Sequence, residues 1–181
     1  MIAFEVARQL IASGIAVVGL VLIDSPDPAT TTPLSEEVMN AVFSTKRSSS
    51  RAVELARSSM QHATAALVKY DPWSSPAKHV LPKKAVMLRC REGFAVEGAG
   101  LSSQSDAFLA DRENPETIIR EWEKILGTKV PVLDIPGNHF EPFDFRHVSH
   151  HYWPSGIGRG LTDRPQVDEV SSRLVEALEM L

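Results

Sequence analysis

Residues 16–23 read AVVGLVLI and run straight into Asp24-Ser25-Pro26. A short unbroken run of β-branched and leucine side chains has no polar face, which suits a strand covered on both sides in a parallel sheet. Two further runs share the pattern: residues 85–90, AVMLRC, and residues 130–135, VPVLDI, each followed by a polar, loop-like tail. Between them, residues 115–126 read PETIIREWEKIL, with Ile118, Ile119, Trp122, Ile125 and Leu126 at helical spacing. Pro115 suits a first helical position and Gly127 a terminator. Strand, helix, strand is a βαβ unit, and the pattern predicts an α/β fold with three parallel strands.

Helices flank this core on either side. Residues 1–13, MIAFEVARQLIAS, repeat Ile2, Val6, Leu10 and Ala3, Ala7, Ile11 at helical spacing, with Gly14 placed to end the helix. No N-cap precedes this helix, so the domain is expected to extend upstream of Met1. A last helix over residues 167–181 carries Val170, Leu174, Val175, Leu178 and Leu181 as one stripe, expected to pack on the sheet. Residues 33–70 interrupt the alternation with a polar connection holding two predicted helices, 35–43 and 51–70, separated by Ser48-Ser49-Ser50. Such an insertion in an α/β sheet usually covers a site; a solvated helical hairpin without function is the alternative.

Composition narrows the function classes. With 181 residues, 43% apolar and 23% charged side chains, and 12 prolines against 10 glycines, the chain is an ordinary globular one sized for a single domain. A formal charge of -4 offers no basic field for a phosphate backbone, so nucleic acid is not an expected partner. The apolar run at residues 15–23 is far short of the roughly 20 residues a membrane helix needs. Glu5 and Arg8 inside the first apolar segment argue against a signal peptide. The single cysteine, Cys90, cannot form an intramolecular disulfide, and the expected location is the cytoplasm.

Reactive groups of parallel sheets collect beyond the carboxyl ends of the strands. Here those positions hold Asp24, Arg91-Glu92 and the loop Gly137-Asn138-His139-Phe140. An acid and a later histidine at strand ends are two members of a nucleophile, base and orienting-acid set. The third would be a Ser or Cys on a sharp strand-to-helix turn, and neither Ser13, at a helix end, nor Ser25, beside the acid, occupies one. Cys90 reads as a buried strand-end thiol rather than a replacement nucleophile, and Arg89, Arg91 and Glu92 receive no role. The plainer alternatives are a helix or turn cap ahead of Pro26 for Asp24 and a loop position near the surface for His139. His139, His147, His150 and His151 form a metal-like cluster, but adjacent histidines rarely reach one ion and no carboxylate is spaced to support them, so no metal site is expected.

IAFEVARQL (2–10), GLVLIDSP (19–26), AVMLRCREGF (85–94), FLADRENPETIIREWEKILG (108–127) and VPVLDIPGNHFEPFD (130–144) together resemble the thioesterase domain at the end of fungal polyketide synthases and related nonribosomal-peptide-like synthetases. The resemblance implies the C-terminal half of an α/β-hydrolase fold, with 33–70 as a lid, Asp24 as the catalytic acid and His139 as the general base. It implies release of a polyketide chain from the phosphopantetheine thiol of an acyl carrier protein, by hydrolysis or by Claisen or lactone cyclisation, with no prosthetic group. The nucleophile of that family lies in a G-x-S-x-G-G turn just before the segment matching IAFEVARQL. The 181 residues are therefore expected to form one partial domain without thioester turnover of its own. A non-catalytic remnant that binds an acyl chain, docks on a synthase or has no function is the alternative; a third is self-association through an exposed sheet edge, as a dimer or, more in keeping with an open edge, by aggregation. Residues 149–166 have no counterpart in the resemblance and read as translated intron, with Met1 an internal methionine.

Overall fold

The computed structural model describes residues 2–26, 32–44, 50–74, 80–94, 108–113, 115–140 and 165–181. The elements run α1 (Ile2–Ala12), β1 (Leu20–Ile23), α2 (Glu36–Ser44), α3 (Ser50–Val68), β2 (Ala85–Cys90), α4 (Pro115–Leu126), β3 (Val132–Ile135) and α5 (Pro165–Glu179). The strands form one parallel sheet in the order β1-β2-β3, with Leu20 beside Ala85 and Leu88 beside Leu133.

Alternate residues of each strand enter different cores, as a strand covered on both sides requires. Leu20, Leu22, Ala85 and Met87 meet Phe4 of α1 and Trp122, Ile125 and Leu126 of α4. Val86, Leu88, Cys90 and Ile135 face the other way and meet Ala177 of α5. This is the expected α/β arrangement, a parallel sheet with helices packed on both faces. Phe4 and Trp122 meet edge to face, centroids 5.4 Å apart, while the Trp122 indole N–H donates to the Ser25 carbonyl at 3.1 Å. One buried side chain thus joins the core to the loop that follows β1.

Several boundaries differ from the expected ones. β1 begins at Leu20 rather than residue 16, because its ladder starts where Leu20 N–H reaches the Lys84 carbonyl at 3.0 Å. β3 begins at Val132: Pro131 has no N–H, and Val130 N–H is taken by Glu123 Oε1 at 3.1 Å. In α5 the packed line runs through Val170, Ala177 and Leu181, whereas Leu174, Val175 and Leu178 are exposed. Ala177, fully buried, sits on the sheet-facing line, and the leucine stripe lies partly outside it. α5 also opens at Pro165, two residues inside the stretch 149–166; the rest of that stretch, and His147, His150 and His151, lie outside the described residues. Gly14 and Gly127 end their helices in the left-handed region, at φ 81 and 67, as placed.

Beyond the sheet, α2 and α3 build a second apolar cluster from Val38, Met39, Val42 and Phe43, closed by Leu109, Met60, Phe108 and Phe140. The Ser35 hydroxyl accepts from Val38 N–H at 3.3 Å, an N-cap that starts α2. The chain after α3 is fastened to α1: Arg8, fully buried, donates to the Pro72 carbonyl at 2.8 Å, and the Tyr70 hydroxyl donates to Glu5 at 2.8 Å. Among the described residues, no helix is long and apolar enough to cross a membrane.

Candidate functional site

Asp24 follows the last residue of β1, and its N–H still donates to Leu88 at 2.7 Å, so the ladder fixes its position. Its φ of 39 lies in the left-handed region, which Asp enters more readily than most residues. The turn sends the carboxylate across the ends of the strands, where it is 1% exposed and accepts Cys90 N–H on Oδ1 at 3.0 Å.

His139 reaches the same carboxylate from the loop after β3, with Nδ1 2.8 Å from Oδ2. Three features shape that loop. Gly137 takes φ 84, a value that favours glycine. It also exchanges two bonds with Glu92: Glu92 N–H to the Gly137 carbonyl and Gly137 N–H to Glu92 Oε1, each 3.1 Å. Asn138 then accepts Phe140 N–H at 3.0 Å in an Asx turn. Asp24 and His139, 115 residues apart in the chain, are thus brought together as expected, and neither is a plain turn cap or a free surface residue.

A second side chain on the Asp24 carboxylate is not visible in the sequence. Arg112, in the loop before α4, sets Nη1 2.8 Å from Asp24 Oδ1 and Nη2 3.1 Å from Oδ2. Its guanidinium lies 4.9 Å from the centroid of Phe108, whose ring in turn meets the His139 ring edge to face at 5.8 Å. Phe94 N–H donates to the Leu109 carbonyl at 2.8 Å, holding the 108–112 segment against the tail of β2. A Cβ on Gly93 would stand only 2.4 Å from the Ala110 carbonyl oxygen, so this close approach requires glycine. Nothing in local spacing marks Arg112, because its partner is 88 residues away.

Burial alone would raise the Asp24 pKa; the His139 hydrogen bond and the charge of Arg112 outweigh it, and the carboxyl is held below its ordinary value. An ionised carboxylate cannot donate, so the contact to His139 requires the hydrogen on Nδ1, which leaves Nε2 as the basic nitrogen of the neutral ring. Among the described residues nothing bonds to Nε2. The ring, 28% exposed in its side chain, lines a cleft of about 190 Å³ with Pro26, Leu34, Met60, Leu67 and Phe108, so α3 and the residues before α2 form part of its wall.

Other candidates are placed elsewhere. The Cys90 thiol is buried, and its pKa is pushed up to about 12, first by burial and then by the Asp24 charge, which disfavours the thiolate. The Ser13 hydroxyl donates to Gln9 at the end of α1. Arg91 pairs with Glu169, Arg89 with Asp134, and Glu92 supports the histidine loop.

Over 178 residues the chain is 28% identical to an orsellinic acid synthase of Beauveria bassiana (strain ARSEF 2860), covering 82% of this chain and 8% of that protein. Its relatives are fungal polyketide synthases. An orsellinic acid synthase of Armillaria mellea is 28% identical over 82% of this chain and 7% of its own length. A non-reducing polyketide synthase of Pseudevernia furfuracea is 29% identical over 77% of this chain and 8% of its own length. The chain thus spans less than a tenth of these polyketide synthases. Among solved structures, the Vlm2 thioesterase domain aligns over 97% of this chain and 64% of its own, with 17% identity and a TM-score of 0.41. No protein-family profile matches the chain.

Proposed function

We propose that this polyketide-synthase homologue carries the acid and base of an acyl-transfer site that releases a polyketide from its carrier, with Asp24 as the orienting acid and His139 as the general base. The observation that carries this reading is the 2.8 Å bond between His139 Nδ1 and a buried, ionised Asp24 at the mouth of an apolar cleft. With Nδ1 engaged, Nε2 is free to take a proton from an attacking hydroxyl and return it to the leaving thiol, the division of labour in Ser-His-Asp enzymes. The substrate is an acyl thioester on a carrier-protein phosphopantetheine arm, and no prosthetic group takes part. The cleft suits a compact apolar acyl group, the 33–70 segment acts as its lid, and a carrier-bound substrate fits a cytoplasmic location.

No described hydroxyl or thiol reaches Nε2, so on this reading the 181 residues by themselves do not turn over a thioester. Joined behind an N-terminal half with a serine-bearing G-x-S-x-G-G elbow they do, because the elbow brings the nucleophile and one oxyanion N–H and a loop upstream of it the other. The test is hydrolysis of a fluorogenic acyl thioester by the chain alone and by the elbow fusion. Turnover by the fusion alone, abolished by His139→Ala, is the expected result; a fusion indifferent to His139→Ala would overturn the assignment.

An exposed apolar row favours one addition. Ile2, Val6 and Leu10 on α1 and Ile15 and Val18 before β1 are all exposed. Such an exposed apolar row favours pairing of two copies. Sedimentation velocity should show self-association that Val6→Glu weakens.

A further inference from the structure

We infer that Arg112 is a positioning residue of the acid-base pair: its two-pronged grip locks the Asp24 carboxylate in the one rotation that presents Oδ2 to His139. The inference rests on the proposed function for its significance, and on the geometry alone for its content.

A carboxylate has about four acceptor directions. At Asp24 all are used: Oδ1 takes Cys90 N–H at 3.0 Å and Arg112 Nη1 at 2.8 Å, and Oδ2 takes Arg112 Nη2 at 3.1 Å and His139 Nδ1 at 2.8 Å. Without Arg112, each oxygen would keep one partner, and a peptide N–H and an imidazole N–H would not resist rotation about the bond to the carboxylate. The planar fork supplies two parallel bonds and so fixes the plane, which a point charge cannot do.

Arg112 is itself held firmly enough for this task. Its side chain is 6% exposed, its guanidinium stacks on Phe108, and its backbone carbonyl accepts from Arg89 Nη1 at 3.5 Å. Phe108 lies against both Arg112 and His139, so the two side chains that bind the Asp24 carboxylate share one aromatic neighbour. The close contact of Gly93 with Ala110 sets the distance of the whole segment from the sheet. Among the described residues, the Cys90 thiol, which feels the charges of Asp24 and Glu92, also lies by the pair and offers Asp24 no second fork.

The test reads the His139 Nδ1–H proton by NMR in the full 181-residue chain, assigned by its loss in His139→Gln. The native chain should show a slowly exchanging low-field resonance. Arg112→Lys keeps the charge but loses the fork; its Nδ1–H should exchange with water about tenfold faster, the scale of one charged hydrogen bond, in a chain that circular dichroism shows still folded. Arg112→Met should match or exceed that change. Unaltered exchange in the folded Lys variant would overturn the inference, as would loss of folding in both variants, which would make the pair a structural ion pair. Asp24→Asn separates the two readings: it should remove the resonance whatever Arg112 does, and absence of turnover in the elbow fusion would defeat the proposed function without touching this result.

Discussion

Two arginine–aspartate pairs stand near the carboxyl ends of this sheet, and their surroundings differ. Arg89 and Asp134 are direct register partners on β2 and β3, with Nη2 2.7 Å from Oδ1 and the Asp134 side chain 41% exposed. Arg112 and Asp24 join a loop to a strand end at 2.8 Å, with side chains 6% and 1% exposed and a histidine on the same carboxylate. The bond lengths are alike, so distance does not distinguish them. Exposure does: water solvates a lone Asp134, whereas a lone Asp24 has only protein around it.

The largest effect should come at the carboxylate that touches the base. In the elbow fusion, Asp24→Asn keeps the shape but offers a donor and an acceptor where two acceptors stood, and kcat should fall about 10⁴-fold, as in other acid-base sets of this type. Thioester hydrolysis measured alongside Asp134→Asn sharpens the contrast, since the exposed pair should change kcat less than about threefold. A fall of similar size in both variants would break the comparison. On stability, Arg112→Met leaves a buried carboxylate short of its main cation and should cost about 3 kcal/mol in urea unfolding.

Gly93→Ala tests the same pair indirectly. The added Cβ meets a backbone oxygen at 2.4 Å, and a backbone cannot swing aside as a side-chain tip does. The 108–112 segment must shift, at a cost of about 2 kcal/mol. If Arg112 moves with it, the Nδ1–H exchange of His139 will quicken too, while the Arg89–Asp134 pair, within the sheet, stays as it is.

The same contrast explains what could be read from the chain. Runs such as AVMLRC become two-sided strands because every residue must bury, and that demand is local, so the sheet was legible. Asp24 and His139 were legible because strand ends are where parallel sheets present their side chains. Arg112 was not: its partner is set by how far a loop travels in three dimensions, and the only local trace, Gly93, has its reason in the Ala110 carbonyl. The contact line of α5 differs for a related cause, since a stripe of leucines says which face is apolar but not which line of that face the sheet covers, here the one through Ala177.

Acid unfolding offers a further separation. The folded-state pKa of Asp24 lies below its unfolded value, so its contribution to stability is complete above the ordinary carboxylate pKa of about 4 and is lost as pH falls through the folded value. Removing Arg112 takes away one of the groups that offset burial, and the carboxyl rises. Circular dichroism followed from neutral to acid pH should therefore show Arg112→Met unfolding at a higher pH than the native chain, with Arg89→Met close to native. An acid midpoint unchanged in Arg112→Met would mean that His139 alone holds Asp24 ionised.

The smallest effect is expected at Arg89, and it is informative because two roles meet there. Its bond to Asp134 is half in water and should contribute less than about 1 kcal/mol. It also donates to the Arg112 carbonyl, at 3.5 Å, the one contact that links the two pairs. If that contact matters, Arg89→Met will cost little in urea yet still speed Nδ1–H exchange at His139, a change that Asp134→Asn will not reproduce. If both substitutions leave the exchange rate alone, Arg112 is held by Phe108 and by the Gly93 approach, and the two pairs are independent.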